Sequence, residues 1–278
     1  MPEPKTHNAT LTGKVAIITG AGTQGEGTGI GRAVAIVLAT EGARVCLVDR
    51  HAASAEVTLT QIEQRGGSAF VAIGDVTQRE DCARFVAETE QRYGRLDILV
   101  NNVGVATPVL LDARDEDAWA RVFDLNVGSA MLMCRYAVPV MIKNGGGSII
   151  NISSIAGIRA QGSLAYGPSK AAMAALAREI TVLYGRQGIR ANAIAPGHVL
   201  TPLAMSLLPE TMRVKRKNVG PLGIEGDVWD IALAARFLAS NESRFIAGIE
   251  LVVDGGVTAI GAMTGNALIE AGAQEEQV

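Results

Sequence analysis

Short runs of apolar, β-branched residues alternate with longer alanine-rich stretches along almost the whole chain. Seven runs are apolar throughout rather than alternating with polar residues, which is typical of strands covered on both faces of a sheet. We predict these strands at Val15–Thr19, Arg44–Asp49, Ala69–Ile73, Leu96–Asn101, Ser148–Ile152, Arg190–Ala195 and Glu250–Val253. The stretches between them predict helices at Gly29–Glu41, Ala52–Arg65, Arg79–Tyr93, Asp115–Lys143, Ala165–Arg186 and Asp227–Ala239.

This alternation predicts the fold class. Strand–helix–strand repeats with short connections form parallel sheets with right-handed crossovers. We therefore expect a single α/β domain, a Rossmann-type doubly wound parallel sheet of about seven strands with helices on both faces. Its core should span about residues 12–260, with flexible ends near residues 1–10 and 262–278. Segment 201–226 departs from the pattern because it is long and proline-containing, and we interpret it as a substrate lid.

Composition and charge exclude several classes of protein. Of the 278 residues, 48% are hydrophobic, which is enough apolar material for a core and argues against disorder. The 25 Lys and Arg against 28 Asp and Glu leave no basic excess for a nucleic acid or an anionic membrane. A polar start and the lack of a long apolar segment predict a cytoplasmic protein without a membrane partner. Three widely spaced cysteines form neither a disulfide nor a metal pattern: Cys46, Cys82 and Cys134.

A glycine-rich segment follows the first predicted strand and precedes the first predicted helix. Glycines let the backbone turn sharply and approach a pyrophosphate, and the helix provides its N-terminal amides and positive dipole end. This placement indicates a dinucleotide-binding turn. The glycines of this segment include Gly20, Gly25, Gly27, Gly29 and Gly31.

Polar residues follow the second, third and fourth predicted strands, at the edge of the sheet where open α/β proteins bind ligands. Asp49 ends the second strand, 18 residues after Gly31. A carboxylate there accepts hydrogen bonds from a ribose 2′,3′-diol and repels a 2′-phosphate, which predicts NAD rather than NADP. The neighbouring Arg50 favours a phosphate instead. Asp75 and the segment Asn101–Gly104 complete a predicted pocket on the adenosine side.

Tyr166 and Lys170 lie four residues apart at the start of a predicted helix and therefore share one face. A nearby ammonium lowers the pKa of a phenol, which is ordinarily about 10. Phenolate then takes a proton from an alcohol, and phenol gives one to a carbonyl oxygen. Ser154, at the end of the fifth strand, is placed to bind the substrate oxygen, with Ser153 as the alternative. Asn126, an amide among apolar neighbours, either caps a helix irregularity or holds a water.

These motifs resemble the short-chain dehydrogenase/reductase family over roughly residues 12–260. The matching positions are the Thr19–Gly31 turn, Asp75, Asn101, Asn102, Gly104, Asn126, Ser154, Tyr166, Lys170, Ala195–Gly197 and Val253–Gly256. The resemblance implies that Tyr166 is the general acid/base and that Ser154 orients the substrate oxygen. It further implies that Lys170 lowers the tyrosine pKa and binds the nicotinamide ribose, and that Asn126 holds a relay water.

The resemblance also implies further cofactor contacts. Asp75 and Val76 would meet the adenine, and Asn102 its ribose. The nicotinamide and pyrophosphate would border Pro196, Gly197, Val199 and Thr201. A homotetramer is implied as well. One departure stands out, because the family's glycine turn usually has three residues between Thr-Gly and Gly-x-Gly, whereas here residues 21–28 intervene and leave five extra. The resemblance implies that Gly20, Gly29, Ile30 and Gly31 are the functional positions, with Gly20, Gly25 and Gly27 as the alternative register.

The sequence therefore predicts an NAD-dependent oxidoreductase that moves a hydride between a secondary alcohol or ketone and nicotinamide. One alternative is an NADPH-dependent reductase of 3-oxoacyl thioesters or ketones, against which Asp49 argues. Another is a catalytically silent nucleotide-sensing protein. The complete set of Ser154, Tyr166 and Lys170 argues against that reading, because a sensor needs no acid/base phenol.

Overall fold

A parallel seven-stranded sheet forms the centre of the protein. The computed structural model describes residues 11–107, 116–202, 205 and 208–275, so the expected flexible segment 1–10 lies outside the described residues. The strands are β1 (Val15–Thr19), β2 (Arg44–Asp49), β3 (Ser68–Ile73), β4 (Ile98–Asn101), β5 (Gly147–Ile152), β6 (Ile189–Pro196) and β7 (Glu250–Val253). They pair in the order β3-β2-β1-β4-β5-β6-β7, all parallel. This confirms the predicted doubly wound sheet.

Helices cover both faces of the sheet, which explains why the strands are apolar throughout. The helices are α1 (Ile30–Thr40), α2 (Ala52–Glu63), α3 (Arg79–Tyr93), α4 (Glu116–Phe123), α5 (Ser129–Lys143), α6 (Tyr166–Tyr184), α7 (Glu210–Asn218), α8 (Val228–Ala239) and α9 (Ala262–Glu275). Buried residues of α1, α2 and α8 form one core with the strands. Those of α3, α5 and α6 form a second core on the opposite face.

The long helix predicted over Asp115–Lys143 is interrupted. Helix α4 ends at Phe123, a π-helical turn occupies Asp124–Gly128, and α5 continues from Ser129. A π turn adds a residue to the helical repeat, and such turns are frequent at functional sites. Asn126 lies within this π turn and is completely buried.

Contrary to the sequence analysis, one described helical stretch is long and apolar enough to span a membrane by length and composition alone. It covers Asp117–Lys143. Its residues Met133, Ala137 and Met141 are fully buried and belong to the core on the sheet. The apolar composition of this stretch is therefore explained by packing within the fold.

The C-terminal part of the chain contains a helix that the sequence analysis did not predict. A flexible end was expected near residues 262–278, and the structure has helix α9 over Ala262–Glu275, packed against α7. The contact depends on small residues, since a Cβ at Gly272 would lie 2.6 Å from Cγ of Asn218 and one at Gly265 would lie 3.2 Å from Val219. Helix α7 itself lies inside the predicted lid, of which residues 203–204 and 206–207 are outside the described part.

Candidate active site

A cavity of about 230 Å³ opens where the sheet reverses its strand order, at the carboxyl ends of β1 to β4. This is where open α/β sheets bind their ligands. Seven of the predicted cofactor residues line it: Gly20, Asp49, Arg50, Asp75, Val76, Asn102 and Gly104. The structure therefore brings together the polar residues that follow four different strands. We call this cavity the crevice.

The glycine turn is closed by contacts that only glycine permits. Gly20 has a φ of 64°, in the left-handed region, and a Cβ on Gly31 would collide with the Gly20 carbonyl. This close approach supports the register through Gly20, Gly29 and Gly31. The Asn102 amide donates to the carbonyl oxygens of Thr19 at 3.1 Å and Gly20 at 3.0 Å. Asn102 thus fastens the turn to β4, a contact that the predicted ribose role did not include.

Asp49 is held in a defined orientation at the end of β2. Its Oδ2 accepts a hydrogen bond from the Gly22 amide at 2.8 Å, and its Oδ1 accepts one from the His51 amide at 2.9 Å. Each carboxylate oxygen can accept more than one hydrogen bond, so capacity remains for a ligand. Sequence reasoning missed His51 and Ser54, which also line the crevice. Their position at the start of α2, shortly after Asp49, could have predicted that they line the crevice.

Asp75 shapes the next corner of the crevice. Its Oδ1 accepts hydrogen bonds from both the amide and the hydroxyl of Thr77, each at 2.8 Å. The amide of Asp75 in turn donates to Oδ2 of Asp81 on α3 at 2.8 Å. Val76 is buried beside it. Asp75, which is predicted to meet the adenine together with Val76, is therefore held in place by hydrogen bonds within the protein itself.

Lys170 and Asn126 both lie beside Gly104, which lines the crevice. A Cβ at Gly104 would lie 2.9 Å from Nζ of Lys170 and 3.3 Å from Oδ1 of Asn126. The Asn126 side chain is engaged on both ends: Oδ1 accepts from the Val105 amide at 2.8 Å, while Nδ2 donates to the Val105 carbonyl and to Ser169. The amide therefore ties the π turn to the segment after β4, which fits the expected capping of an irregularity.

Lys170 is buried, and its Nζ donates to the Ile152 carbonyl at 2.8 Å. The same Nζ lies 5.7 Å from the centroid of the Tyr166 ring. Burial lowers the pKa of Lys170 to about 8. The two side chains do share a face of α6, as predicted from their spacing, but the ammonium sits over the ring and is anchored on the end of β5.

Tyr166 is the first residue of α6, and its phenol lies beside the Ser154 side chain. Burial raises the pKa of Tyr166, and the interaction with Ser154 opposes that rise. The sequence analysis expected a lowered pKa, and this expectation is wrong for the structure as it stands. The physical reason is that removing the phenol from water penalises its anion more than the nearby groups stabilise it.

The structure separates the two candidate serines. Ser154 Oγ accepts a hydrogen bond from the Ala156 amide at 3.2 Å and faces Tyr166. Ser153 is turned the other way, with its Oγ 2.9 Å from the Lys170 carbonyl and 2.7 Å from Oε1 of Glu250 on β7. The geometry therefore places Ser154, rather than Ser153, beside the phenol.

In the described chain, nine predicted cofactor residues are not among those that line the crevice. Five of them lie at the start of α1 or of α6: Gly29, Ile30, Gly31, Tyr166 and Lys170. The other four lie at the end of β6 or after it: Pro196, Gly197, Val199 and Thr201. There the Gly197 amide donates to the Val253 carbonyl, and Val199 pairs with Gly226 across the base of the predicted lid. Val199 instead borders a second cavity of about 280 Å³. Within residues 11–107, 116–202, 205 and 208–275, no cluster of three His, Cys, Asp or Glu could hold a metal ion.

Comparison with known proteins decides the family. A family profile described as Enoyl-(Acyl carrier protein) reductase matches residues 25–258. The chain is 37% identical to (+)-borneol dehydrogenase 2 of Salvia officinalis, over 89% of this chain and 90% of that protein. It is 35% identical to the 3-oxoacyl-[acyl-carrier-protein] reductase FabG of Thermotoga maritima, over 89% and 98%. The chain belongs to the short-chain dehydrogenase/reductase family.

A solved structure extends the likeness to three dimensions. It is a 7α-hydroxysteroid dehydrogenase complexed with NADH and 7-oxo glycochenodeoxycholic acid, 37% identical, with a TM-score of 0.84 over 90% of this chain and 96% of that one. As a member of this family, the protein is an NAD(P)-dependent oxidoreductase that acts on CH–OH groups of alcohol and ketone substrates.

The crevice fits a dinucleotide. The turn at Gly20 and Gly31 leaves no room for a side chain, so backbone approaches the space in front of α1 directly. Gly104 likewise leaves open the space between the crevice and Lys170, which a Cβ would fill. Residues at the two ends would hold the two halves of the cofactor: Asp49 and Asp75 the adenosine end, and Tyr166 and Lys170 the nicotinamide end.

Proposed function

We propose that this protein is an NAD-dependent dehydrogenase of cyclic secondary alcohols, which also reduces the corresponding ketones. The observation that carries the proposal is the placement of Tyr166 beside the Ser154 side chain and the buried Lys170, whose Nζ lies next to Gly104 of the crevice that Asp49 also lines. Bound NAD supplies the hydride acceptor. The remaining chemistry belongs to the side chains of this chain.

The proton is handled by Tyr166. Its hydroxyl and that of Ser154 are placed to hold one substrate oxygen between them, since each hydroxyl can donate and accept a hydrogen bond. Tyr166 takes the proton during alcohol oxidation and returns it during ketone reduction. Lys170 favours the phenolate through its charge whenever it is protonated. Asn126 holds the wall opposite Lys170 through its bonds to Val105 and Ser169.

The preference for NAD over NADP is proposed from Asp49. Its carboxylate lines the crevice and its orientation is fixed by the Gly22 and His51 amides. A carboxylate fixed there accepts the ribose diol and repels an additional phosphate. The neighbouring Arg50 is exposed at the same rim and is the feature that supports the alternative, an NADPH-dependent reductase of 3-oxoacyl thioesters.

The proposed substrate class rests on apolar surroundings and on relatives. Ala165, directly before Tyr166, forms a small apolar cluster with Ala118 and Val122, against which Val105 of the crevice packs. Two of the similar proteins carry the names of cyclic compounds, borneol and a 7-oxo bile acid. An apolar cluster that includes the residue before Tyr166 suits a ring of this kind better than a polar sugar chain.

A homotetramer in the cytoplasm completes the proposal. Helices α4 to α6 expose large apolar side chains, among them Trp119 and Met131 at 46% each and Val182 at 80%. Exposed apolar surface of this extent is typical of protein–protein contacts.

Steady-state kinetics test the proposal. NAD and NADP are compared as oxidants for a panel of cyclic, acyclic, aromatic and sugar alcohols, and NADPH is tested separately with a 3-oxoacyl thioester. We expect the highest kcat/KM with NAD and a cyclic secondary alcohol. A higher kcat/KM with NADPH and the thioester would contradict the proposal and establish the alternative.

A further inference from the structure

Arg32 is a buried arginine whose guanidinium has only neutral hydrogen-bond partners. It lies in the first turn of α1 with 4% of its surface exposed. Among the described residues, no carboxylate forms an ion pair with it. Burial lowers the pKa of Arg32, and the charge of Asp49 acts in the opposite direction. A buried cation without an ion-pair partner is costly, so its hydrogen bonds must compensate for lost hydration.

Three of its nitrogens donate to three different parts of the chain. Nη1 donates to the Gly27 carbonyl at 2.8 Å, Nε to Oγ1 of Thr58 at 3.0 Å, and Nη2 to the Ser54 carbonyl at 3.2 Å. The Thr58 hydroxyl then donates to the Ala21 carbonyl at 2.8 Å. One guanidinium thus connects α1, α2 and both ends of the glycine turn.

Gly27 belongs to the five residues that lengthen the glycine turn beyond the family's usual pattern. We call residues 24–28 the insertion. Its residues 24–27 are exposed, and Gly25 and Gly27 adopt φ values of 78° and 100°. Pro202, at the start of the predicted lid, is also close to this loop, since its Cγ would lie 3.3 Å from a Cβ on Gly27.

The insertion also borders the ligand site, because Gln24 lines the crevice beside Asp49 and Ser54. Glycine-rich, exposed backbone loses much conformational freedom when it is ordered. A tether that orders it in advance removes that cost from the binding step. The Arg32 fork, with its fixed planar geometry, is suited to this task.

We propose that Arg32 is a positioning residue for the dinucleotide: it fixes the insertion against α2 and so preorganises the crevice around the cofactor. Arg32 does not contact the reacting atoms, and its loss should leave the acid/base step intact once cofactor is bound. The effect should therefore appear in the Kd for NADH and in the KM for NAD rather than in kcat.

Arg190 provides a matched control. It is a partly buried arginine whose Nη1 and Nη2 likewise have neutral partners, the carbonyl oxygens of Leu238, Ser240 and Ile246. Burial lowers its pKa as it does for Arg32. Arg190 lies near the amino end of β6, away from the crevice. Arg190→Met therefore has a similar structural cost without a link to the cofactor.

NADH binding is measured by fluorescence titration of Arg32→Met and Arg190→Met, together with thermal unfolding and steady-state kinetics. We expect Arg32→Met to raise the NADH Kd about tenfold, equivalent to about 1.4 kcal/mol, with kcat at saturating NAD within about twofold of the parent protein. Arg190→Met should lower the Tm but leave Kd unchanged. Equal Kd values for the two variants would overturn the proposal.

A shortened chain tests whether the effect passes through the insertion. Deletion of residues 24–28 removes the Gly27 carbonyl, so Arg32→Met should cause little further change in Kd in that background. A full tenfold change there would show that Arg32 acts by another route. If Arg32→Met does not fold, Thr58→Val removes the acceptor of Nε and the link to Ala21, and a weakened NADH affinity is again required.

Discussion

Replacement of Lys170 by methionine should affect turnover and the stability of the fold differently. Lys170 is buried with its Nζ on the Ile152 carbonyl, and burial lowers its pKa from 10.5 to about 8. The folded state therefore holds a charged lysine at pH 7 at a cost in free energy. Methionine has a similar length and fills the same space without a charge, so Lys170→Met should lose turnover while the fold keeps its stability.

The magnitude follows from linkage. At about 1.4 kcal/mol for each pH unit, the fall in pKa from 10.5 to about 8 corresponds to about 3 kcal/mol. Because the folded pKa lies below the unfolded pKa, the unfolded chain binds more protons between pH 8 and 10.5, and stability rises with pH across that window. Below pH 8 the full cost is present. The lost bond to the Ile152 carbonyl costs about 1 to 3 kcal/mol and offsets the gain at pH 7.

The assay is urea unfolding of two variants at several pH values from 7 to 10.5. One variant carries Tyr166→Phe alone, and the other carries Tyr166→Phe together with Lys170→Met. Since both lack the phenol of Tyr166, its titration does not contribute. Other titrating groups cancel in the difference between the two. We expect the free energy of unfolding of the lysine chain to increase by about 3 kcal/mol relative to the methionine chain across this range. Parallel stability curves would refute the reasoning that burial dominates the environment of Lys170.

Three further substitutions test individual assignments. Tyr166→Phe should abolish turnover and leave the NADH Kd nearly unchanged, because one oxygen carries the proton transfer; near-normal turnover would contradict the role. Asp49→Ala should shift the ratio of kcat/KM for NAD and NADP towards NADP, by about tenfold or more if a charge-assisted hydrogen bond is lost, and an unchanged ratio would exclude the ribose contact. Ser154→Ala should lower kcat about a hundredfold. Ser153→Ala should mainly lower the Tm, because Ser153 forms hydrogen bonds with Glu250 and the Lys170 carbonyl. The reverse result would assign the catalytic role to Ser153 instead of Ser154.

The strands were predictable because burial on both faces leaves a continuous apolar run. β1, β2 and β7 begin and end where that run predicted. Helices α7 and α9 were missed for physical reasons. The first is dominated by charged residues, and the second contains Gly265 and Gly272, which lower helix propensity until they pack against Val219 and Asn218.

The candidate site residues could be predicted from their residue types and their spacing in the sequence, but their hydrogen-bond partners could not. A spacing of four places Lys170 and Tyr166 on one face, yet it does not reveal that Nζ reaches back to the Ile152 carbonyl. The same holds for Asn126, whose bonds depend on a π turn that no periodicity of apolar residues encodes. The sign of the Tyr166 pKa change followed from burial, which emerges only when the sheet, α5 and α6 are assembled.

These contacts have a common consequence for catalysis. In the proposed mechanism, the side chains that act at the substrate oxygen come from the segment after β5 and from α6. Two of them are fixed by a polar bond that the reaction does not use: Ser154 by the Ala156 amide and Lys170 by the Ile152 carbonyl. Asn126 is fixed in the same way from the π turn. Groups that are already oriented need no reorganisation when charge develops on the substrate oxygen. In the proposed mechanism, the buried ammonium therefore has a cost for the fold and a benefit for the reaction, because a positive charge favours the anionic form of a neighbouring phenol.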